Sequence, residues 1–420
     1  MQKEAAEEFE PKKVWLIALA TWLVQFCTYG YVSAFGVYQD YYTRDYLSAS
    51  TPSDISWIGS VQLFLQYALG IAVGRIYDLG WFHHLIGVGT VLQIVSLFML
   101  SLTRRQRYPE IFLAQAIGMG LGQAMLFLPS ITVVSHHFRR RRVVATGVAV
   151  SGASVGGVIW PILLNQSSQA LGFPNAIRIT AALIGAFLLV ANLLYFIACS
   201  RPTSISSSTS FQSNRPDFRA IFTDVAYLVS IAAAFCINLG LFFPFFYLQS
   251  YGLSVGIKSS LAFYLLAILN GGSAFGRIIP NILAGKFGVY NTLLPSLYIS
   301  SALVFAIFGI KNFAGLTIFA ILYGFWSGAY VSLIPSLLCQ LSPHPKELGV
   351  RMGIAFSLVA ISLLAGTPIE GMLLKRQSGG GFVWSASIIF CGVLIGCGSI
   401  CMTISRFLYI RSRRIQKQCV

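Results

Sequence analysis

Residues 263–286 read FYLLAILNGGSAFGRIIPNILAGK, an apolar run long enough to cross a bilayer with one arginine inside it. Asn270, Ser273, Arg277 and Asn281 follow one another at spacings of three, four and four. At about 3.6 residues per turn all four fall on one helical face. A charge at membrane depth costs at least roughly 2.5 kcal/mol, so such a stripe is expected to face a protein interior or a water-filled cavity. Arg277 is then expected to meet an anionic or strongly polar solute. The competing reading is an arginine close enough to the helix end to snorkel to headgroups.

The flanking chain supports a membrane setting. Of 420 residues, 56% are hydrophobic and only 10% charged, with a mean hydropathy of +0.73, against about 25% charged in a soluble protein. The opening MQKEAAEEFEPKK is charged and lacks a cleavable signal pattern, so the first apolar run is expected to stay as an anchor. The eight cysteines lie mostly inside apolar runs without paired spacing, which supports no disulfide framework, zinc site or other cofactor. The net charge of +16 sits in short loops between apolar runs. It reads as a signal for orientation in the lipid bilayer rather than a nucleic-acid surface.

At roughly 20 residues per crossing the sequence predicts twelve spans, near 14–37, 55–74, 85–103, 111–135, 143–164, 179–199, 223–248, 259–283, 291–310, 315–338, 350–370 and 383–405. With both termini in the cytoplasm, 19 Lys and Arg residues fall inside and 9 outside, Arg277 being the last of the 29. The excess of inside cations predicts that orientation, and the plasma membrane is the expected location. Residues 1–13 and 406–420 read as cytoplasmic tails. The Ser-rich stretch 200–222 reads as a flexible linker between two six-span halves, 14–199 and 223–405. Gly118, Gly122, Pro129 and Gly147 recur 206 residues later as Gly324, Gly328, Pro335 and Gly353, and Pro161 returns one residue late as Pro368. A constant offset marks an internal repeat.

Two parallel six-helix repeats are the plan of major facilitator transporters, and five stretches resemble their monocarboxylate-transporter-like branch, especially its fungal members. They are GRIYDLGWFHH at 74–84, the run at 114–161, NLGLFFPFFYLQSY at 238–251, NGGSAFGRIIPNILAGKFG at 270–288 and GVRMGIAFSLVAISLLAGTPIEG at 349–371. The resemblance implies an all-α membrane protein, acting as a monomer, that carries a small organic solute between its halves. It departs from lactate carriers at named positions. Of the usual Pro-Asp-Gly-Gly-aromatic-Gly-Trp opening only Trp15 remains, Val32 stands at the place of a carboxylate-binding lysine, and Ser273 stands at the place of an aspartate. Gly285 replaces a loop acid.

If spans one, four, seven and ten line the path, Tyr29 with Gln25, then Asn238, Phe242 and Phe245, then Tyr323, Trp326 and Tyr330 present an aromatic wall with few charges. Such a wall suits a flat or amphipathic organic solute; ordinary packing between helices is the alternative for any single ring. With Arg277, Ser273 and Asn270 these form the expected solute site. Arg75 and Asp78 are expected to latch the two halves through a salt bridge that breaks as they rock, or else to serve only as topogenic charge. Glu370 is the remaining acid to weigh for proton coupling, with a solvated loop-edge carboxylate the preferred reading. The block Arg139–Arg142 reads as an orientation signal, and the paired histidines 83–84 and 136–137 as solvated rather than metal-binding.

A secondary transporter is the leading function. No Gly-rich phosphate loop supports an ATP-driven pump, and no cluster of acids, histidines or nucleophiles supports an enzyme, Arg277 being the buried ion that the sequence predicts. An efflux carrier for a secondary metabolite or toxin, and a solute sensor on the same frame, remain as alternatives.

Overall fold

A computed structural model describes residues 12–138, 141–199, 218–342, 347–376 and 382–418. Among them are twelve helices long and apolar enough to cross a membrane. In chain order, spans 1 to 6 are Lys13–Gln39, Asp54–Asp78, Phe82–Leu102, Tyr108–His137, Arg142–Leu171 and Phe173–Ala198. Spans 7 to 12 are Val225–Ser254, Leu261–Phe287, Val289–Gly309, Phe313–Leu341, Leu348–Leu373 and Ser385–Ser412. Helices satisfy their own backbone groups without water, which is why a chain so poor in charge spans in this form. The last helix runs on to Gln418, so residues 406–418, expected as a tail, continue it. Most of the expected linker, residues 200–217, lies outside the described residues, as do Arg139 and Arg140 of the basic block.

Local chemistry sets the starts and breaks of these helices. Thr51 and Asp54 form a reciprocal cap at the start of span 2, with Pro52 in the first turn, so two orphan N–H groups are satisfied by side chains. Asp224 caps span 7 by accepting from the Tyr227 N–H at 3.2 Å. Span 7 is interrupted at Phe242, just before Pro244, where proline lacks the donor that a continuous helix needs.

With twelve crossings both termini share one face, here called the termini face; the opposite is the far face. Two seams join the first six spans to the last six. In one, Gly147 of span 5 lies against the Arg277 carbonyl and Asn281 of span 8. In the other, Gly353 of span 11 lies against Gly70 and Ile71 of span 2. Each pair is the other displaced by the repeat: Gly353 follows Gly147, and Arg277 follows Ile71, by 206 residues. A Cβ at either glycine would fall inside 3.0 Å of the facing backbone, so the close approach of these helices needs a residue without one. The repeat in the sequence is therefore a repeat of contacts.

Candidate functional site

The polar stripe of span 8 faces span 5. Arg277 is 2% exposed. Its Nη1 donates to the Val150 carbonyl at 2.9 Å, and its Nε lies 3.4 Å from Ser273 Oγ. The guanidinium carbon stands 5.7 Å from the centre of the Tyr29 ring, a cation–π contact from span 1. Ser273 Oγ accepts from Ser154 Oγ at 3.1 Å, again across the seam. Asn281 Nδ2 donates to the Arg277 carbonyl and to Ser332 Oγ, at 2.8 and 2.6 Å. Asn270 sits two turns toward the far face, its side-chain amide against Gly157 of span 5. Snorkelling to headgroups is excluded by this geometry. Among the described residues no acidic side chain pairs with Arg277, so its partners are a neutral carbonyl, a hydroxyl and a ring.

Beside the guanidinium is a cavity of about 40 Å³, room for about three waters. Arg277, Tyr29, Asn238 and Phe242, all expected at the solute path, line it together with Gln25 and Tyr330. Asn238 Nδ2 donates to Tyr330 Oη at 2.7 Å. Asn270 and Ser273 stand in the seam, outside its lining. Phe245, Tyr323 and Trp326, expected at the same wall, are also outside it. Tyr323 is fully buried and donates to the carbonyl of Leu241, where span 7 breaks, at 2.6 Å. Phe245 packs between Phe242 and Tyr323, with ring centres 5.6 and 6.5 Å away, and Trp326 meets Phe325 edge-on. Phe245, just beyond the break in span 7, is the ring of its second segment that reaches Tyr323.

Tyr67, Phe127 and Phe356, from spans 2, 4 and 11, also line the small cavity, and helix-face reasoning on spans 1, 7 and 10 misses them. The repeat held one signal: Tyr67 precedes Ser273 by 206 residues. Above Asn270 the seam opens toward the far face into a vestibule of about 610 Å³ between spans 1, 5, 7 and 8.

The latch differs from its expected chemistry. Asp78 Oδ1 accepts from the Gly349 N–H at 3.1 Å and Oδ2 from the Val350 N–H at 2.9 Å. A carboxylate thus caps the N-terminus of span 11, where free donors and the helix dipole favour negative charge. Among the described residues Arg75 makes no ion pair, so no salt bridge with Asp78 forms the contact. Nearby glycines let the two backbones meet: a Cβ on Gly74 would fall inside 3.0 Å of the Gly349 carbonyl.

Two further ions are buried. Arg351, at the start of the expected span 350–370 and not singled out by the sequence, is 2% exposed. It pairs with Asp224 at 2.9 Å, lies 3.6 Å from Glu347 and covers the Tyr227 ring at 5.1 Å. Glu347 four residues earlier was the available signal. Because Asp224 and Glu347 keep 27% and 16% of their side-chain surface exposed, Arg351→Ala is expected to cost less than the roughly 3–5 kcal/mol of a fully buried pair, read as a lower unfolding temperature of the purified protein. An unchanged temperature would show that the pair is solvated. Glu370 is 1% exposed, with Cys391 Sγ 3.4 Å from its Oε1 and Ser387 Oγ donating to its backbone carbonyl at 2.9 Å. The solvated loop-edge reading of Glu370 is therefore corrected.

Twelve apolar helices meeting along two glycine seams, with a buried cation between them and an opening to one face, define a multi-pass membrane carrier. The chain belongs to the Major Facilitator Superfamily, whose family model matches residues 17–313. It is 35% identical to the aspyridones efflux protein apdF of Emericella nidulans over 404 residues, covering 94% of this chain and 80% of that protein. It is 36% identical to the agnestins efflux protein AgnL12 of Paecilomyces divaricatus over 407 residues, covering 96% and 89%. The fold matches the crystal structure of the major facilitator transporter FucP in the outward conformation, with a TM-score of 0.69 at 15% identity over 94% of this chain and 98% of that one. The chain is a secondary transporter of a small organic solute.

Proposed function

We propose that the chain exports a ring-bearing secondary metabolite with an anionic or strongly polar carbonyl group, by alternating access, and that Arg277 receives that group. The observation that carries this reading is a guanidinium buried at the seam with, among the described residues, a carbonyl, a hydroxyl and a ring as its partners. A planar fork of donors in that setting matches a carboxylate or enolate better than its present neighbours do. Two relatives named for efflux of aspyridones and agnestins support the outward direction. The stretches at 114–161 and 270–288 support membership of the monocarboxylate-transporter-like branch. Val32 and Ser273, at the places of that branch's lysine and aspartate, argue against lactate as cargo. We further propose a monomer in the plasma membrane with cytoplasmic termini, the orientation that the loop cations support.

In proteoliposomes the purified protein is expected to move ring-bearing organic acids faster than two-carbon or three-carbon acids, and a preference for the short acids would overturn the reading. In the state described here the 40 Å³ cavity is too small for such a solute, so Arg277 must leave the Val150 carbonyl as the seam loosens. Asp78 holds the termini face shut in this state and releases the span 11 N–H groups when it opens. Asp78→Asn removes the charge at that cap, an interaction of about 0.5–2 kcal/mol. The variant is expected to expose the termini face to thiol reagents more often and to change the transport rate. The rate of the unsubstituted protein would leave Asp78 as topogenic charge.

A further inference from the structure

The vestibule on the far face differs in chemistry from the cavity around Arg277, and this difference carries an inference of its own. Its volume of about 610 Å³ falls within the roughly 300–1,000 Å³ of sites for small organic ligands. Four carboxamides reach its wall, Asn165, Gln166 and Gln169 from span 5 and Gln249 from span 7. Five rings border it: Tyr38 from span 1, Tyr41 just beyond that span, Phe173 from span 6, and Phe263 and Tyr264 from span 8, with Tyr38 and Phe173 themselves buried. Among the described residues that line it, none is charged. Gln169 Nε2 donates to Asn165 Oδ1 at 3.2 Å, and the Tyr41 and Phe173 rings stack 4.5 Å apart at 10°, so part of the wall is ordered without a ligand.

The floor is also defined. Gly157 and Leu266 line the vestibule, and directly beneath them the Asn270 amide abuts Gly157 and donates to the Leu266 carbonyl at 3.1 Å. Ser273 and Arg277 follow one and two turns below, within the closed seam. We propose that the vestibule is a second solute-binding site, closed off from Arg277 in this state, and that it takes a neutral ring-bearing molecule with carbonyl or hydroxyl groups. Rings on the wall stack with a ring of the solute, and carboxamides both donate to and accept from neutral polar groups. Among the described residues of this wall a carboxylate finds no cation to offset the water that it loses. Recognition is thus divided, with charge met at the seam and ring plus neutral polar groups met above it. The site does not depend on the role proposed for Arg277.

The test uses the full chain in lipid nanodiscs, with Gln166→Cys as a thiol on the vestibule wall and 7-methoxycoumarin and coumarin-3-carboxylate as neutral and anionic probes. Alkylation by a soluble maleimide is measured above that of the unsubstituted chain. The thiol is expected to react readily, to be protected by the methoxycoumarin, and to be left reactive by the carboxylate at the same concentration. Protection is expected to persist with Arg277→Ala. Replacing two hydrogen-bonding amides by Asn165→Leu and Gln249→Leu is expected to weaken protection about ten-fold in protein that still elutes as a single species. The proposal is overturned if the thiol does not label, if neither coumarin protects or both protect equally, or if the amide replacements leave protection unchanged. It is also overturned if Arg277→Ala abolishes protection, because the probe would then be reporting the central cavity. Transport that fails with Arg277→Ala while protection survives would separate the two sites.

Discussion

Arg277→Ala is expected to abolish transport of an anionic solute while the protein still reaches the membrane. The guanidinium makes charge-assisted hydrogen bonds, and losing one to a solute is worth about 1.5–3 kcal/mol, or about 10–150-fold in apparent affinity. Arg277→Lys keeps the charge but not the planar fork and is expected to fall between the two. Because Nη1 also donates to Val150 across the seam, a loss of flux alone would not distinguish solute contact from helix positioning. The methyl ester of a transported acid resolves this. If Arg277 receives the carboxylate, Arg277→Ala lowers the affinity for the acid and spares the ester. If it only holds spans 5 and 8 together, both fall equally. Unchanged flux of the acid would overturn the assignment.

Gly147→Val is expected to prevent the seam from closing at all. Any Cβ there falls inside 3.0 Å of the Arg277 carbonyl and of Asn281, and both belong to a helix packed on its other side by span 10, so neither can yield freely. Overpacking of this kind costs about 1–3 kcal/mol, which moves a two-state equilibrium about 5–150-fold. The state described here should be depopulated, and transport should fail through loss of one end of the cycle rather than through loss of the solute site. Ser332→Cys reports the change, because Ser332 is fully buried beside Asn281. Its thiol is expected to resist alkylation alone and to react when Gly147→Val is added. Normal flux and a protected thiol in the double variant would show that spans 5 and 8 can part without consequence. Gly353→Val, the repeat-related change at the other seam, is expected to act in the same direction.

Much of the fold was legible because its causes are local. Apolar runs of about twenty residues leave few alternatives in a bilayer, and the recurrence of Gly147 as Gly353 and of Pro129 as Pro335 showed that two similar sets of helices follow one another. The Asn270–Asn281 stripe was legible for the same reason, since 3.6 residues per turn put its members on one face. Legibility ended where a contact depended on a partner far along the chain. Tyr323 and Tyr330 share a face of span 10, yet one is covered by the broken span 7 and the other lines the cavity. Arg351 opens the expected span 350–370, and its partner is legible only once Asp224, 127 residues earlier, is brought beside it.

By itself the sequence determined that this chain crosses a membrane twelve times, that its second half repeats its first, and that one arginine lies at membrane depth on a polar stripe. Each follows from hydrophobicity, spacing or charge within a single segment. Only the tertiary structure decided that Arg277 donates to Val150 and meets no acid among the described residues, and that Asp78 caps a helix where a salt bridge with Arg75 was expected. It alone also decided that a neutral vestibule stands above the charged cavity. Those outcomes depend on how helices from the two halves approach, and the approach is set by small residues and backbone carbonyls meeting across the seams, which no local pattern in either helix encodes.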